Sequence, residues 1–278
     1  MKLDKPEFSL KDIYPDCINH YRSSTRTALM ESITQNLMND EKRYVERIKT
    51  KELYLEKEKH THHKDITIKD MVNLYDRKLL NKAYISRKYY DKIRLSSKVC
   101  PFCGKRQTST VDHFLPKTIY PSFVVTPMNL VPCCKDCNIN KDDIKFTKEE
   151  NMFFHPYEED TDAFQWLIAK IEMKSGVIMF DFNVSDKYID PMTFYRMYNQ
   201  FHALQLKEYY DEEANIKFNR TKEFYKELKH GKNGKKQLKD HFLMEQKKNS
   251  VDKNYLNSFE YVYYSTLINC FSVVLGAL

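Results

Sequence analysis

Four cysteines set in two Cys-x-x-Cys pairs, Cys100/Cys103 and Cys134/Cys137, constrain this chain more than any other feature. A pair with two intervening residues is a knuckle that offers two thiolates to one metal ion. Two knuckles complete the four soft ligands that Zn²⁺ takes in a closed tetrahedral site. The chain must therefore leave the metal after the first knuckle and return to it at the second. Cys133 lies one residue too far from Cys137 to form such a knuckle, so Cys134 is the expected ligand and Cys133 a small buried residue beside it. Between the pairs stands Asp112-His113, a dipeptide that a structural zinc site does not need.

The sequence predicts a strand near 109–114, a loop through 116–127, a second strand near 129–132 and a short helix from about Lys135. Two strands and one helix bury too little apolar surface to be stable alone, so metal binding has to supply folding free energy. The surroundings are expected to be helical. Only 5 of 278 residues are glycine, against a usual share of about 7%, which disfavours turn-rich β architectures. The expected fold class is mainly α with a small α+β core. A helical N-terminal region spans 1–96, the zinc-stapled module 97–158, and a β-hairpin with a helical C-terminal region 159–278.

Residues 26–59 carry Leu29, Ile33, Leu37, Tyr44, Ile48 and Leu55, mostly at three- and four-residue steps, the spacing of a long helix entered from Ser23-Ser24-Thr25. His60, His62 and His63 interrupt it in a Lys-rich connector expected to face solvent. Thr67-x-x-Asp70 has the form of a capping box opening a second helix to about Leu80, and a third is expected over 83–95. Apolar runs at 164–173 and 177–184, separated by Lys174-Ser175-Gly176, read as a β-hairpin. Asp190-Pro191 sets a cap residue before proline at a first helical position, and helices fill most of the remainder, with breaks at Gly231/Gly234 and at 250–254. Ser265, Thr266, Asn269 and Ser272 interrupt the apolar run 261–278. It therefore reads as a buried or partner-docking helix rather than a membrane span of about twenty apolar residues.

Five of the seven cysteines lie between 100 and 137; the others, Cys17 and Cys270, read as core. The first sixteen residues lack the apolar centre of a secretory signal, and clustered thiols without one fit a reducing cytoplasm. Residues 217–253 hold twelve Lys/Arg against five Asp/Glu, which is the whole net excess of +7. Such a strip fits a nucleic-acid backbone, and equally the solvated face of a helix. No Gly-x-x-x-x-Gly-Lys-Ser/Thr phosphate loop occurs, so any ATP dependence comes from another polypeptide.

The words CPFCGKRQTSTVDHFLPK (100–117) and NLVPCCKDCNINK (129–141) resemble the HNH endonucleases, a family of ββα-metal nucleases. There an Asp-His ends the first strand, an Asn lies in the following loop, and Cys-x-x-Cys-Asn-x-x-Lys opens the helix, as Cys134 to Lys141 does here. Tyr120-Pro121-Ser122-Phe123 and Phe154-His155-Pro156-Tyr157 extend the resemblance toward the PtuB subunits of Septu-type anti-phage systems. The resemblance implies Asp112 and Asn138 as ligands of a catalytic Mg²⁺ or Mn²⁺, His113 as general base, and Asn129 as the brace that orients the histidine. Lys141 matches the family's helix lysine and Lys117 lies just past the base. Each is a candidate phosphate contact or a plain surface lysine. Nucleic acid is the implied substrate, DNA ahead of tRNA, and a PtuA-like ABC-type ATPase the implied partner.

The residue types suit that chemistry. Hard oxygen ligands hold Mg²⁺ or Mn²⁺, and an imidazole can take a proton from water near neutral pH. Neighbouring residues on a regular strand face opposite ways, so Asp112 and His113 enter one site only if the strand ends or bulges there. Pro116, close behind, is compatible with an end. His155 reads by default as a structural residue, or, on the resemblance, as part of the site. Two alternatives stand beside the DNA nuclease: a tRNA-cutting HNH effector of the retron type, and a zinc-knuckle module that binds nucleic acid or protein without catalysis.

Overall fold

The computed structural model describes residues 2–278 except 20, 22, 188 and 251–255. Its contacts fall into two units, 2–160 and 161–278.

In the first unit, helix α1 (Leu10–Ile18) opens where the Asp12 carboxylate accepts the Ser9 N–H at 2.8 Å. The single helix expected over 26–59 is two, α2 (Ser24–Glu31) and α3 (Thr34–Thr50). The break falls at Ser32-Ile33, where the Ser32 hydroxyl donates to the Leu29 carbonyl at 2.7 Å. A hydroxyl that competes for a backbone acceptor weakens helical continuity. Lys51, at φ 60°, ends α3 in the left-handed region. Thr67 and Asp70 form the expected capping box for α4 (Ile68–Asn73), which runs into a π-helical turn at Leu74–Leu79. Helix α5 (Arg87–Leu95) starts four residues later than expected.

Strands β1 (Thr110–His113) and β2 (Leu130–Cys133) pair antiparallel, with His113 opposite Leu130, and α6 (Lys135–Lys141) follows. Val111, Val124 and Leu130 from this module share one core with Leu10, Ile13, Leu37, Leu74 and Ile93 from the helices. Each buried side chain of this kind contributes about 1.5–3 kcal/mol. The helices thus supply the burial that two short strands lack.

The second unit begins with the expected hairpin, β3 (Leu167–Lys174) and β4 (Val177–Val184). Its turn residues Ser175 and Gly176 both have positive φ, 51° and 79°, the requirement of a type I′ turn. Alternate β4 residues Ile178, Phe180, Phe182 and Val184 are buried, and Phe180 and Phe182 stack on Tyr263 and Phe259 at 5.0 and 5.5 Å. Asp190 caps α7 (Pro191–Ala203) by accepting the Thr193 N–H at 3.0 Å. Helices α8 (Leu206–His230) and α9 (Gly234–Lys248) carry most of the basic strip. Between them a Cβ at Gly234 would lie 1.9 Å from the Lys229 carbonyl, so the turn admits only glycine. Lys217, Lys226 and Lys248 pair with Glu260, Glu223 and Glu245, so part of the strip's charge is neutralised in place. The final apolar run is two helices, α10 (Phe259–Asn269) and α11 (Phe271–Ala277), rather than one. They meet at Cys270, which is half-buried, not core, whereas Cys17 is fully buried. Among the described residues no helix is long and apolar enough to cross a membrane. The break expected at 250–254 lies, Ser250 apart, outside the described residues.

Candidate active site and metal centre

The Sγ atoms of Cys100, Cys103, Cys134 and Cys137 all lie within 4.8 Å of one another, and all four residues are buried. Four sulfurs each about 2.3 Å from one Zn²⁺ would stand about 3.8 Å apart, so the donor set fits. Each knuckle also turns a backbone N–H toward sulfur. Arg106 donates to Cys103 Sγ and Cys137 to Cys134 Sγ, both at 3.4 Å, an arrangement that stabilises thiolates. The first knuckle closes through a Gly104-to-Cys100 backbone bond at 2.8 Å, with Gly104 at φ 60°. Cys133 is buried outside this cluster, and burial pushes its thiol pKa up, so it stays protonated.

Strand β1 ends at His113, which resolves the alternation problem. The Asp112 carboxylate turns along the chain to accept the His113 backbone N–H through Oδ1 at 2.7 Å. Asp112, His113 and Asn138 line one cleft of about 280 Å³, together with Tyr75, Lys117 and Asp142. Inside it the His113 ring is almost wholly buried, its Nε2 2.8 Å from the Val124 carbonyl. A carbonyl only accepts, so Nε2 carries the hydrogen and Nδ1 keeps its lone pair. Burial, with Lys117 and Lys141 nearby, pushes the ring's pKa down to about 3, so it is neutral at pH 7. Asp112 is pushed the other way by burial, opposed by Lys141. Its Oδ2 lies 3.2 Å from the Lys141 ammonium, yet among the described residues it has no well-formed hydrogen bond. That buried oxygen, with Asn138 in the same cleft, suits a hard divalent cation.

The side chain of Asn129, fully buried, makes four hydrogen bonds among the described residues. Oδ1 accepts from Leu115 N at 2.7 Å and Tyr44 Oη at 2.9 Å, and Nδ2 donates to the Leu115 and Phe123 carbonyls, both at 3.1 Å. It thereby fixes the loop whose next residue, Val124, holds His113. His155 stands behind this brace and does not line the cleft. Its Nδ1 accepts the Tyr157 N–H and its Nε2 faces Tyr44 Oη, each at 3.4 Å.

Lys141 differs from expectation. It is completely buried, donates to the His113 carbonyl at 2.7 Å and pairs with Asp112, so it is neither a surface lysine nor open to a phosphate. Lys117 sits at the cleft rim, paired with Asp76. The histidine cluster also differs from the solvated connector expected. His60 Nε2 and His62 Nδ1 lie 2.8 Å apart, and His62 Nε2 meets the buried Asp40 carboxylate, which Arg43 also holds.

Sequence reasoning missed Tyr75, Tyr44 and Asp142. The Tyr75 ring lies 4.3 Å from that of His113 and its hydroxyl donates to the Val111 carbonyl at 2.9 Å. Tyr75 and Tyr44 come from helices remote in sequence, and nothing local marks them among twenty tyrosines. The signal for Asp142 was available, since it directly follows the motif lysine.

No family model matches the chain, and no solved structure matches it. Over 123 residues, 42% of the chain, it is 41% identical to protein ea31 of Escherichia phage lambda. Over 54 residues, 18% of the chain, it is 41% identical to the Septu protein PtuB of Bacillus thuringiensis. The matched segments span 41% of ea31 and 21% of PtuB.

Proposed function

We propose that this chain is an HNH-type, metal-dependent endonuclease that hydrolyses phosphodiester bonds of nucleic acid, DNA ahead of tRNA. The observation that carries the reading is the complementary bonding of two neighbours in one cleft. His113 is neutral with Nε2 tied to Val124, while Asp112 keeps a buried carboxylate oxygen without a hydrogen bond.

In this reading His113 Nδ1 removes a proton from water, which attacks phosphorus in line with the departing 3′ oxygen. Asp112 and Asn138 hold Mg²⁺ or Mn²⁺, which when bound stabilises charge on the phosphoryl and departing oxygens. The Val124 carbonyl stabilises the imidazolium that forms, and Asn129 keeps that carbonyl in place. Lys141 neutralises Asp112 and steadies the end of β1. Lys117, at the rim and paired with Asp76, meets a phosphate of the substrate. The four cysteines hold structural zinc.

The partial similarity to PtuB supports a further step, an effector of a cytoplasmic anti-phage complex with a PtuA-like ABC-type ATPase. Co-elution of the two chains in size exclusion tests that step, and separate elution counts against it. For the chemistry, His113→Ala is expected to keep its zinc and its fold while losing about 10²–10⁴-fold in Mg²⁺- or Mn²⁺-dependent cleavage. Plasmid, single-stranded DNA and tRNA are the substrates to compare. Undiminished cleavage by this variant would end the proposal.

A further inference from the structure

A second groove adjoins the cleft, and nothing above uses it. It holds about 650 Å³, within the size of ordinary ligand sites, and shares Asp76 and Leu80 with the wall of the cleft. Its chemistry is cationic and aromatic. Arg77 and Lys78 line it, separate from the strip at 217–253, whereas the nearby Arg87 and Lys88 pair with Asp91 and Asp16. The Lys78 ammonium lies 4.6 Å from the Tyr21 ring centroid and 5.2 Å from that of Tyr84, so a cation is held between two rings. Arg77 stands exposed beside it, and Asn73 adds an amide to the wall. The Tyr21 hydroxyl is buried and has no hydrogen-bond partner among the described residues.

The π-helical turn at Leu74–Leu79 builds the groove and ties it to the cleft. Extra residues per turn let neighbours point where an α-helix would not send them, and such turns gather at functional sites. Here Tyr75 packs on His113, Asp76 meets Lys117, and Arg77 and Lys78 line the groove. Tyrosine rings and cations lining one groove suit an unpaired nucleotide, the rings for its base and the cations for its phosphate. A duplex offers phosphates but keeps its base faces covered.

We propose that this groove is a subsite for an unpaired nucleotide of a polynucleotide strand lying across the adjoining cleft, with Arg77 and Lys78 on phosphate and Tyr21 and Tyr84 against the base. That the strand is a substrate rests on the nuclease reading; that it binds here does not.

The test is fluorescence anisotropy with the full chain in a His113→Ala background, which keeps the probe intact. Labelled oligo(dT), oligo(U) and a mixed-sequence duplex serve as probes. Arg77→Ala and Tyr84→Ala should each weaken single-strand binding about tenfold. Arg77→Ala should also lower the salt slope by about 0.7, the value for one single-strand phosphate contact, and duplex affinity should change far less. The tighter of oligo(dT) and oligo(U) identifies DNA or RNA as the strand. Unchanged single-strand affinity in both variants, an equal loss on duplex, or no single-strand binding by the parent protein would each overturn the subsite. Hydrolysis of bis(p-nitrophenyl) phosphate by the wild-type chain reads the nuclease proposal separately. If that fails while Arg77→Ala still weakens binding, the groove stands and the enzyme reading falls.

Discussion

The Lys141 ammonium stands 3.2 Å from the Asp112 carboxylate, and both side chains are buried. A lysine that the motif alone would place against substrate is instead the counter-charge of a candidate metal ligand. Removing one partner of a buried pair costs about 3–5 kcal/mol, because the other charge is left uncompensated. Lys141→Met should lose that much in urea denaturation. A loss below about 1 kcal/mol, the size of an exposed pair, would show that the ammonium does not neutralise Asp112.

Asn129→Asp keeps the shape of the side chain but replaces the two donors that hold the Leu115 and Phe123 carbonyls. The Phe123 carbonyl keeps the Thr126 N–H at 3.2 Å, whereas the buried Leu115 carbonyl loses the donor that holds it, at a cost of about 1–3 kcal/mol. Lower stability together with lost cleavage and retained zinc is the expected pattern. Zinc loss in the same variant would mean that the loop supports the metal centre instead.

Metal removal should act on the first unit as a whole. Cys100→Ser is expected to lose bound zinc by elemental analysis and to melt at lower temperature, since the knuckles share folding free energy with the strands. A variant that holds a full complement of zinc would contradict the four-cysteine assignment.

The α7 cap makes a pH prediction. Hydrogen bonds from the Thr193 side chain and backbone hold the Asp190 carboxyl below its ordinary value of 3.8. The folded form therefore binds its proton less readily than the unfolded chain. Its stabilisation is full above about pH 4 and is lost as pH falls through the folded value. Asp190→Ala should lose about 1 kcal/mol at neutral pH, and Asp190→Asn, an equally good cap, almost none. The gap between wild type and Asp190→Ala should close on acidification below the ordinary value, while Asp190→Asn keeps its advantage over alanine. Parallel curves for all three would rule the cap out.

What could be read before folding was what depends on neighbours in sequence. Knuckle spacing, the strand–loop–strand–helix order, the Thr67 box, the Ser175-Gly176 hairpin and the Gly231/Gly234 break are all local devices, and each appears where its residues predict. What could not be read depends on contacts between distant segments. The burial of Lys141 is decided by β1, twenty-eight residues away, and the brace on Asn129 by Tyr44, eighty-five residues away. His62 finds Asp40 across a connector that composition alone describes as solvated. The breaks at Ser32-Ile33 and Cys270 escaped because both interrupt apolar runs whose periodicity continues across them.

The π turn at Leu74–Leu79 differs from regular helix by an inserted residue. Losing one residue after Tyr75 would restore even pitch and swing the positions beyond it by about 100° around the axis. Tyr75 would keep its place on His113, while the Arg77 and Lys78 side chains would leave the groove. A single codon thus sets which side chains face this groove, while the ring against His113 is carried by the turn before it; the Asp76–Lys117 pair at the shared wall would shift with the rest.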